Sequence, residues 1–140
     1  VAAFESSAFV KTFFHGHSYT ANPLACAAAN ASFELLTSQS CQRKIGTIES
    51  MHRVFADSVR DHNAVADART LGTIFAMELK TSEETTYENS IRKKIYPFFL
   101  QRNILLRPLG NVIYILPPYV REPAELESVY AAIREFLNEL

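Results

Sequence analysis

Between residues 41 and 79 the apolar side chains change their period, and that change restricts the possible folds more than any other feature of the chain. Cys41, Ile45, Ile48, Phe55 and Val59 recur at three- and four-residue steps, the repeat of one helix face, with a polar interruption at His52. From residue 73 to 79 the step becomes two: Phe75, Met77 and Leu79 share one side, Ile74 and Ala76 the other. The pattern predicts a helix over about 40–60, then a strand over 73–79. A preceding strand near 65–70 would pair with it as a hairpin turning at Leu71–Gly72.

The helical step returns at Ile91, Ile95, Phe98 and Phe99, where Pro97 should remove a backbone hydrogen bond and kink the helix. Two short strands are expected at 104–106 and 112–116, on either side of Arg107-Pro108-Leu109-Gly110, and Pro117–Pro118 should end the second. A last helix from about Pro123 would bury Leu126, Val129, Ile133, Phe136 and Leu137. Near the start, Asn22 reads as an N-cap and Pro23 as a first helical residue. The alanine-rich run 24–36 that follows favours helix, and its small side chains suit close packing against a neighbour. Helices and a small, mainly antiparallel sheet, segregated along the chain, make an α+β fold.

With 48% hydrophobic and 21% charged residues in 140, the chain has the makeup of a folded domain with its own core rather than of a disordered segment. Its 14 basic and 15 acidic side chains leave a net charge of -1, which argues against nucleic-acid and polybasic membrane partners. No apolar stretch approaches the ~20 residues that cross a bilayer. Cys26 and Cys41 form neither a disulfide framework nor a metal knuckle and suit a reducing compartment, the cytoplasm. The opening Val1-Ala2-Ala3-Phe4 lacks the charged region and cleavage site of a signal peptide, and reads as part of a longer protein.

Two segments could carry chemistry. His15-Gly16-His17-Ser18-Tyr19-Thr20-Ala21-Asn22-Pro23 combines a glycine, hydroxyl side chains and a helix start, the ingredients of an anion site or of an ordinary capped loop. His15 and His17 would share a strand face, but no third ligand lies near in sequence, so no metal site is expected. In the second segment, Arg107 follows an apolar strand and precedes Pro108 and Gly110. Its planar fork suits bidentate capture of a carboxylate, or else an ion pair with a surface glutamate. Tyr114 is either a plain strand residue or an aromatic wall with a polar tip. Neither Ser18 nor Cys26 shows a nucleophile–base arrangement.

The stretch from His15 to Ala28 resembles the H-G-x-[ST]-[YF]-x-x-N-P-L-[AG]-C-A segment of class III pyridoxal-phosphate aminotransferases. Residues 106–119, Leu-Arg-Pro-Leu-Gly-Asn-Val-Ile-Tyr-Ile-Leu-Pro-Pro-Tyr, are similar to the R-P-x-G-x-x-x-Y-x-x-P-P-Y segment of one branch of that family. That branch moves an amino group from S-adenosyl-L-methionine to 8-amino-7-oxononanoate, giving 7,8-diaminononanoate for biotin biosynthesis. The resemblance implies the C-terminal portion of a fold type I pyridoxal-phosphate transferase, with residues 1–38 ending the large cofactor domain and 39–140 forming the small α+β domain. It implies that Ser18 binds the cofactor phosphate across a homodimer interface, and that Gly16 and His17 line the same pocket. Other members carry proline where His17 stands. It further implies that Arg107 binds the substrate carboxylate, and that Tyr114 and Gly16 line the substrate site.

No catalytic residue is carried over. Lys11, Lys44, Lys80, Lys93 and Lys94 all stand in contexts unlike the family's Schiff-base lysine, so the chain should be inactive alone. Removed from its large domain, it should expose apolar surface at Phe13, Phe14 and residues 25–29, and associate. Two other readings are another ω-aminotransferase of the same class, for which only the second segment is unfavourable, and a non-catalytic interaction domain.

Overall fold

The computed structural model describes residues 5, 7–11, 16 and 20–140. They fall into two units, one ending at Thr37 and the other running Ser38–Leu140. The aromatic cluster of residues 13–19 lies outside the described residues except for Gly16.

In the first unit a 3-10 turn at Phe9–Lys11 precedes helix α1, Pro23–Thr37. Asn22 caps α1 as expected: its Oδ1 accepts the amide N–H of Leu24 at 3.0 Å and of Ala25 at 3.2 Å. Its carbonyl takes the N–H of Cys26 at 2.9 Å, and Pro23 has no N–H to satisfy. No residue of α1 is buried, so the close packing expected of the small side chains of 24–36 is not seen among the described residues. Ala21, before the cap, holds φ at 57°, a left-handed value that crowds a Cβ.

The second unit holds a three-stranded antiparallel sheet in the order β1-β2-β3, with β1 at Val65–Leu71, β2 at Ile74–Leu79 and β3 at Val112–Ile115. Three helices accompany it: α2 at Gln39–Val59, α3 at Arg92–Leu100 and α4 at Pro123–Asn138. The β1–β2 hairpin closes with Leu71 opposite Ile74, so its loop is Gly72–Thr73, one residue beyond the expected turn. Gly72 has φ 54°, the positive value that the first residue of a tight hairpin loop requires. Phe75 pairs with Ile115 and Met77 with Ile113, which puts the alternate residues of both strands on one buried face.

Helix α2 packs on that face and α4 packs on α2. Phe55 stacks on Tyr130 at 4.2 Å between ring centroids and meets Phe75 at 5.1 Å. A second aromatic group, Phe98 and Phe99 of α3 with Phe136 of α4, extends the core. His52, expected to interrupt the stripe of α2, is instead fully buried within it. Its Nε2 lies 3.0 Å from the Thr73 carbonyl and its Nδ1 2.6 Å from the Tyr130 hydroxyl, so both ring nitrogens are satisfied.

The strand expected at 104–106 does not form. The last turn after α3 closes with Asn103 at φ 58°, the N–H of Ile104 returning to the Phe99 carbonyl at 2.9 Å and that of Asn103 to Leu100 at 3.0 Å. This is the Schellman arrangement, which turns the chain sharply out of the helix. The N–H of Leu106 then bonds the Ile104 carbonyl only two residues back, at 3.1 Å, which bends the segment out of ladder geometry. Leu106 is buried and Leu105 is exposed, so alternation of burial survives without a sheet.

Candidate functional site

The geometry around Arg107 begins with the turn that follows it. Leu109 and Val112 exchange both backbone hydrogen bonds, at 2.9 and 3.0 Å, around Gly110 and Asn111. The chain therefore reverses on itself in two residues, and Arg107 and Tyr114 stand on the two arms that leave this turn. Both residues line a cleft of about 780 Å³, whose other walls include Leu106, Ile115, Leu126 and Val129. The volume is in the range usual for small-molecule sites, and the lining also carries the polar Asn103, Ser128 and the paired Arg121 and Glu125.

Gly110 does more than turn the chain. Its φ is 61°, and a Cβ there would lie 1.8 Å from the carbonyl oxygen of Thr86 and 2.8 Å from its carbon. Only glycine lets the loop of residues 81–90 come this close. Side chains hold the loop in place. Asn89, 2% exposed, donates from Nδ2 to Thr81 Oγ1 at 2.8 Å and to the Glu84 carbonyl at 3.1 Å. Asn111, 1% exposed, donates to the Leu79 carbonyl at 2.8 Å and to Thr85 Oγ1 at 3.2 Å. The Glu83 carboxylate accepts the N–H of Ser90 at 2.8 Å and the hydroxyl of the same residue, which holds its pKa below the ordinary glutamate value.

The loop sets Tyr87 on Arg107. Arg107 Nη2 donates to the Tyr87 hydroxyl oxygen at 3.0 Å, and the phenols of Tyr114 and Tyr96 also act on its charge. Among the described residues no carboxylate pairs with Arg107, so the alternative of a surface ion pair is not realised there. The hydrogen bond from Arg107 and its charge, with a smaller contribution from Arg92, hold the Tyr87 phenol below its ordinary pKa. Arg92 sits 5.1 Å from the Tyr87 ring centroid and donates to the Tyr87 carbonyl at 3.3 Å.

The other sequence-level site residues fare differently. Gly16 is exposed, and a Cβ there would meet nothing within 4 Å. His17 and Ser18 lie outside the described residues, as does His15. The start of α1 cannot itself hold an anion through its amides, because Asn22 already takes those of Leu24, Ala25 and Cys26. Among the described residues no cluster of His, Cys, Asp or Glu could hold a metal, and no helix is long and apolar enough to cross a membrane. Tyr87 went unnoticed in the sequence; its loop is polar and aperiodic, and no local pattern marks it.

This fold is that of transaminases. It matches a Bacillus anthracis aminotransferase with a TM-score of 0.79 at 18% identity, over 99% of this chain and 33% of that one, a likeness of fold alone. It matches the adenosylmethionine-8-amino-7-oxononanoate aminotransferase of Methanocaldococcus jannaschii with a TM-score of 0.78 at 27% identity, over 92% and 30%. The model of the class III aminotransferase family matches residues 2–137, and the chain belongs to that family. Class III aminotransferases are pyridoxal-phosphate enzymes.

Among curated relatives, the adenosylmethionine-8-amino-7-oxononanoate aminotransferase of Synechococcus elongatus is 43% identical over 129 residues, 92% of this chain. Its Helicobacter pylori counterpart is 34% identical over 134 residues, 93% of this chain. The chain spans 30% of the length of each.

Proposed function

We propose that this chain works as the C-terminal part of a pyridoxal-phosphate aminotransferase that moves an amino group from S-adenosyl-L-methionine to 8-amino-7-oxononanoate, giving 7,8-diaminononanoate for biotin biosynthesis. The relatives' names and the second motif support this substrate pair. The observation that carries the assignment of Arg107 is its guanidinium, which is exposed, bounded by phenols and without an acidic partner among the described residues. A planar cation held in this way is available for the carboxylate that both substrates carry. Tyr114, which lines the same cleft, forms a wall of the site.

The donor set of the loop before α1 fits the cofactor's phosphate. Ser18, Tyr19 and Thr20 provide hydroxyls in succession, and Gly16 a backbone unencumbered by a side chain. Since the first amides of α1 are engaged, the hydroxyls and amides of the loop itself would hold the phosphate: Ser18 chiefly, with His17 and Gly16 lining the pocket. When bound, pyridoxal phosphate supplies the electron sink that amino transfer requires. The residues of this chain bind and orient: Arg107 anchors the acid group so that the reacting carbon is presented at a fixed distance. If Ser18 serves a neighbouring subunit's cofactor, the enzyme is a homodimer with shared sites. Residues 1–38 then end the large domain and 39–140 form the small one. The Schiff-base lysine comes from residues outside this chain, the chain alone is inactive, and the enzyme works in the cytoplasm.

Arg107→Ala in the full-length enzyme tests the assignment. Losing hydrogen bonds to a charged group should raise KM for 8-amino-7-oxononanoate by roughly 10- to 100-fold. Unchanged KM values for both substrates would overturn it, and faster turnover with another amino acceptor would instead favour a different ω-aminotransferase.

A further inference from the structure

We propose that Tyr87 is a second donor in the carboxylate site, its hydroxyl accepting from Arg107 and turning its own O–H toward the acid group seated on the guanidinium. The inference rests on the reading of Arg107 as the carboxylate clamp and adds to it a residue from a different part of the chain.

The hydrogen bond fixes the direction of the phenol. Arg107 has only donors, so at 3.0 Å the Tyr87 oxygen accepts and its hydrogen remains free. One of the five guanidinium N–H groups is used by Tyr87, which leaves enough of the fork for a bidentate carboxylate. A carboxylate oxygen taken by the remaining N–H of Nη2 would sit beside the phenolic O–H, at the edge of the cleft, whose lining includes Arg107 but not Tyr87. Tyr87 is 49% exposed, so a ligand can approach it. The hydrogen bond from Arg107, its charge and, less, the charge of Arg92 lower the phenol's pKa.

Tyr87 is also held where it is. Gly110 admits the Thr86 backbone, Arg92 lies against the Tyr87 ring and bonds its carbonyl, and Asn89 and Asn111 fasten the loop on either side. A residue placed by this many separate contacts reaches its partner without an ordering cost at the moment of binding. The site becomes selective for an acid over its neutral analogues, because the phenol and the guanidinium lose their partner together when the charge is removed.

The test uses the full-length enzyme with 8-amino-7-oxononanoate and with its methyl ester as amino acceptors. Tyr87→Phe keeps the ring on which Arg92 rests, and its thermal melt should match that of the parent enzyme. Its KM for the acid should rise roughly 10-fold while kcat changes far less, and its KM for the ester should stay the same. Equal losses on acid and ester, or none on the acid, overturn the inference. Arg107→Lys, run in parallel, separates the two readings. If it weakens acid binding and Tyr87→Phe does not, the clamp stands and the role of Tyr87 falls. If it leaves the preference for acid over ester intact, both fall.

Discussion

Replacing Tyr130 with phenylalanine isolates one hydrogen bond in the core. The Thr73 carbonyl can only accept, so His52 carries its proton on Nε2, and Nδ1 is left to accept the Tyr130 hydroxyl at 2.6 Å. Tyr130→Phe keeps the ring stacked on Phe55 at 4.2 Å but strands Nδ1, fully buried, without a donor. A buried polar group left unsatisfied costs about 1–3 kcal/mol. For a domain of roughly 100 residues that lowers Tm by about 5–15 °C. The pH dependence follows from the same site. Burial lowers the pKa of His52 below the ordinary histidine value of about 6.5, the Thr73 hydrogen bond acting the other way. The unfolded chain therefore binds a proton that the folded chain refuses. The contribution of neutral His52 is intact above about pH 6.5 and lost as pH falls toward the lowered folded value, with a limiting slope of about 1.4 kcal/mol per pH unit. Thermal unfolding followed by circular dichroism from pH 8 to pH 5 reads both effects. His52→Gln should flatten the acid limb. A Tyr130→Phe protein melting within a degree of its parent at pH 8, or an acid limb unaltered in His52→Gln, would refute the reasoning.

Gly110→Ala should be among the most damaging single-methyl additions. It combines a left-handed φ of 61° with a 1.8 Å approach to the Thr86 carbonyl oxygen. Together these cost about 2–5 kcal/mol, read as a lower Tm and as faster hydrogen exchange at the Asn89 and Ser90 amides; unchanged exchange there would count against the close approach. Asn22→Ala removes the acceptor for the Leu24 and Ala25 amides and should weaken α1 by about 1 kcal/mol. Amide exchange at those two residues should accelerate, and unchanged rates would show that the cap contributes nothing.

Much of the fold was legible because period and burial coincide. The alternation of β2 buries Phe75, Met77 and Leu79, and the stripes of α2 and α4 bury Ile48, Phe55, Val59, Leu126, Ile133, Phe136 and Leu137, while Cys41, Ile45 and Val129 are only half-buried. The supposed strand at 104–106 misled because Ile104, Leu105 and Leu106 alternate in burial while the backbone turns. That turning depends on a left-handed Asn103 and a two-residue hydrogen bond, which no apolar pattern records. His52 escaped for another reason: its partners Thr73 and Tyr130 are 21 and 78 residues away, so nothing local distinguishes a satisfied core histidine from a break in the stripe. Arg107 and Tyr114, which the second motif names together, line one cleft. Tyr87 was not legible at all, because it reaches Arg107 only where Gly110 leaves room for Thr86.

The arginines of this chain show why the partner matters more than the residue type. Arg102 lies 3.5 Å from the Phe98 ring centroid and grips Glu135 with two hydrogen bonds, at 3.0 and 2.6 Å. Arg121 holds Glu125, its i+4 neighbour, at 2.6 Å. In both, an internal carboxylate occupies the fork, and any incoming acid would have to displace it. Arg107 is held by other means: a buried Pro108, a two-residue turn and a neutral phenol that accepts a single hydrogen bond. A phenol positions the guanidinium without neutralising it. It also need not leave when a carboxylate arrives, since its own hydrogen can turn to the newcomer. An acidic residue in place of Tyr87 would orient the arginine equally well but neutralise it, so on the proposed reading a phenol is the partner that leaves the charge of Arg107 to a ligand.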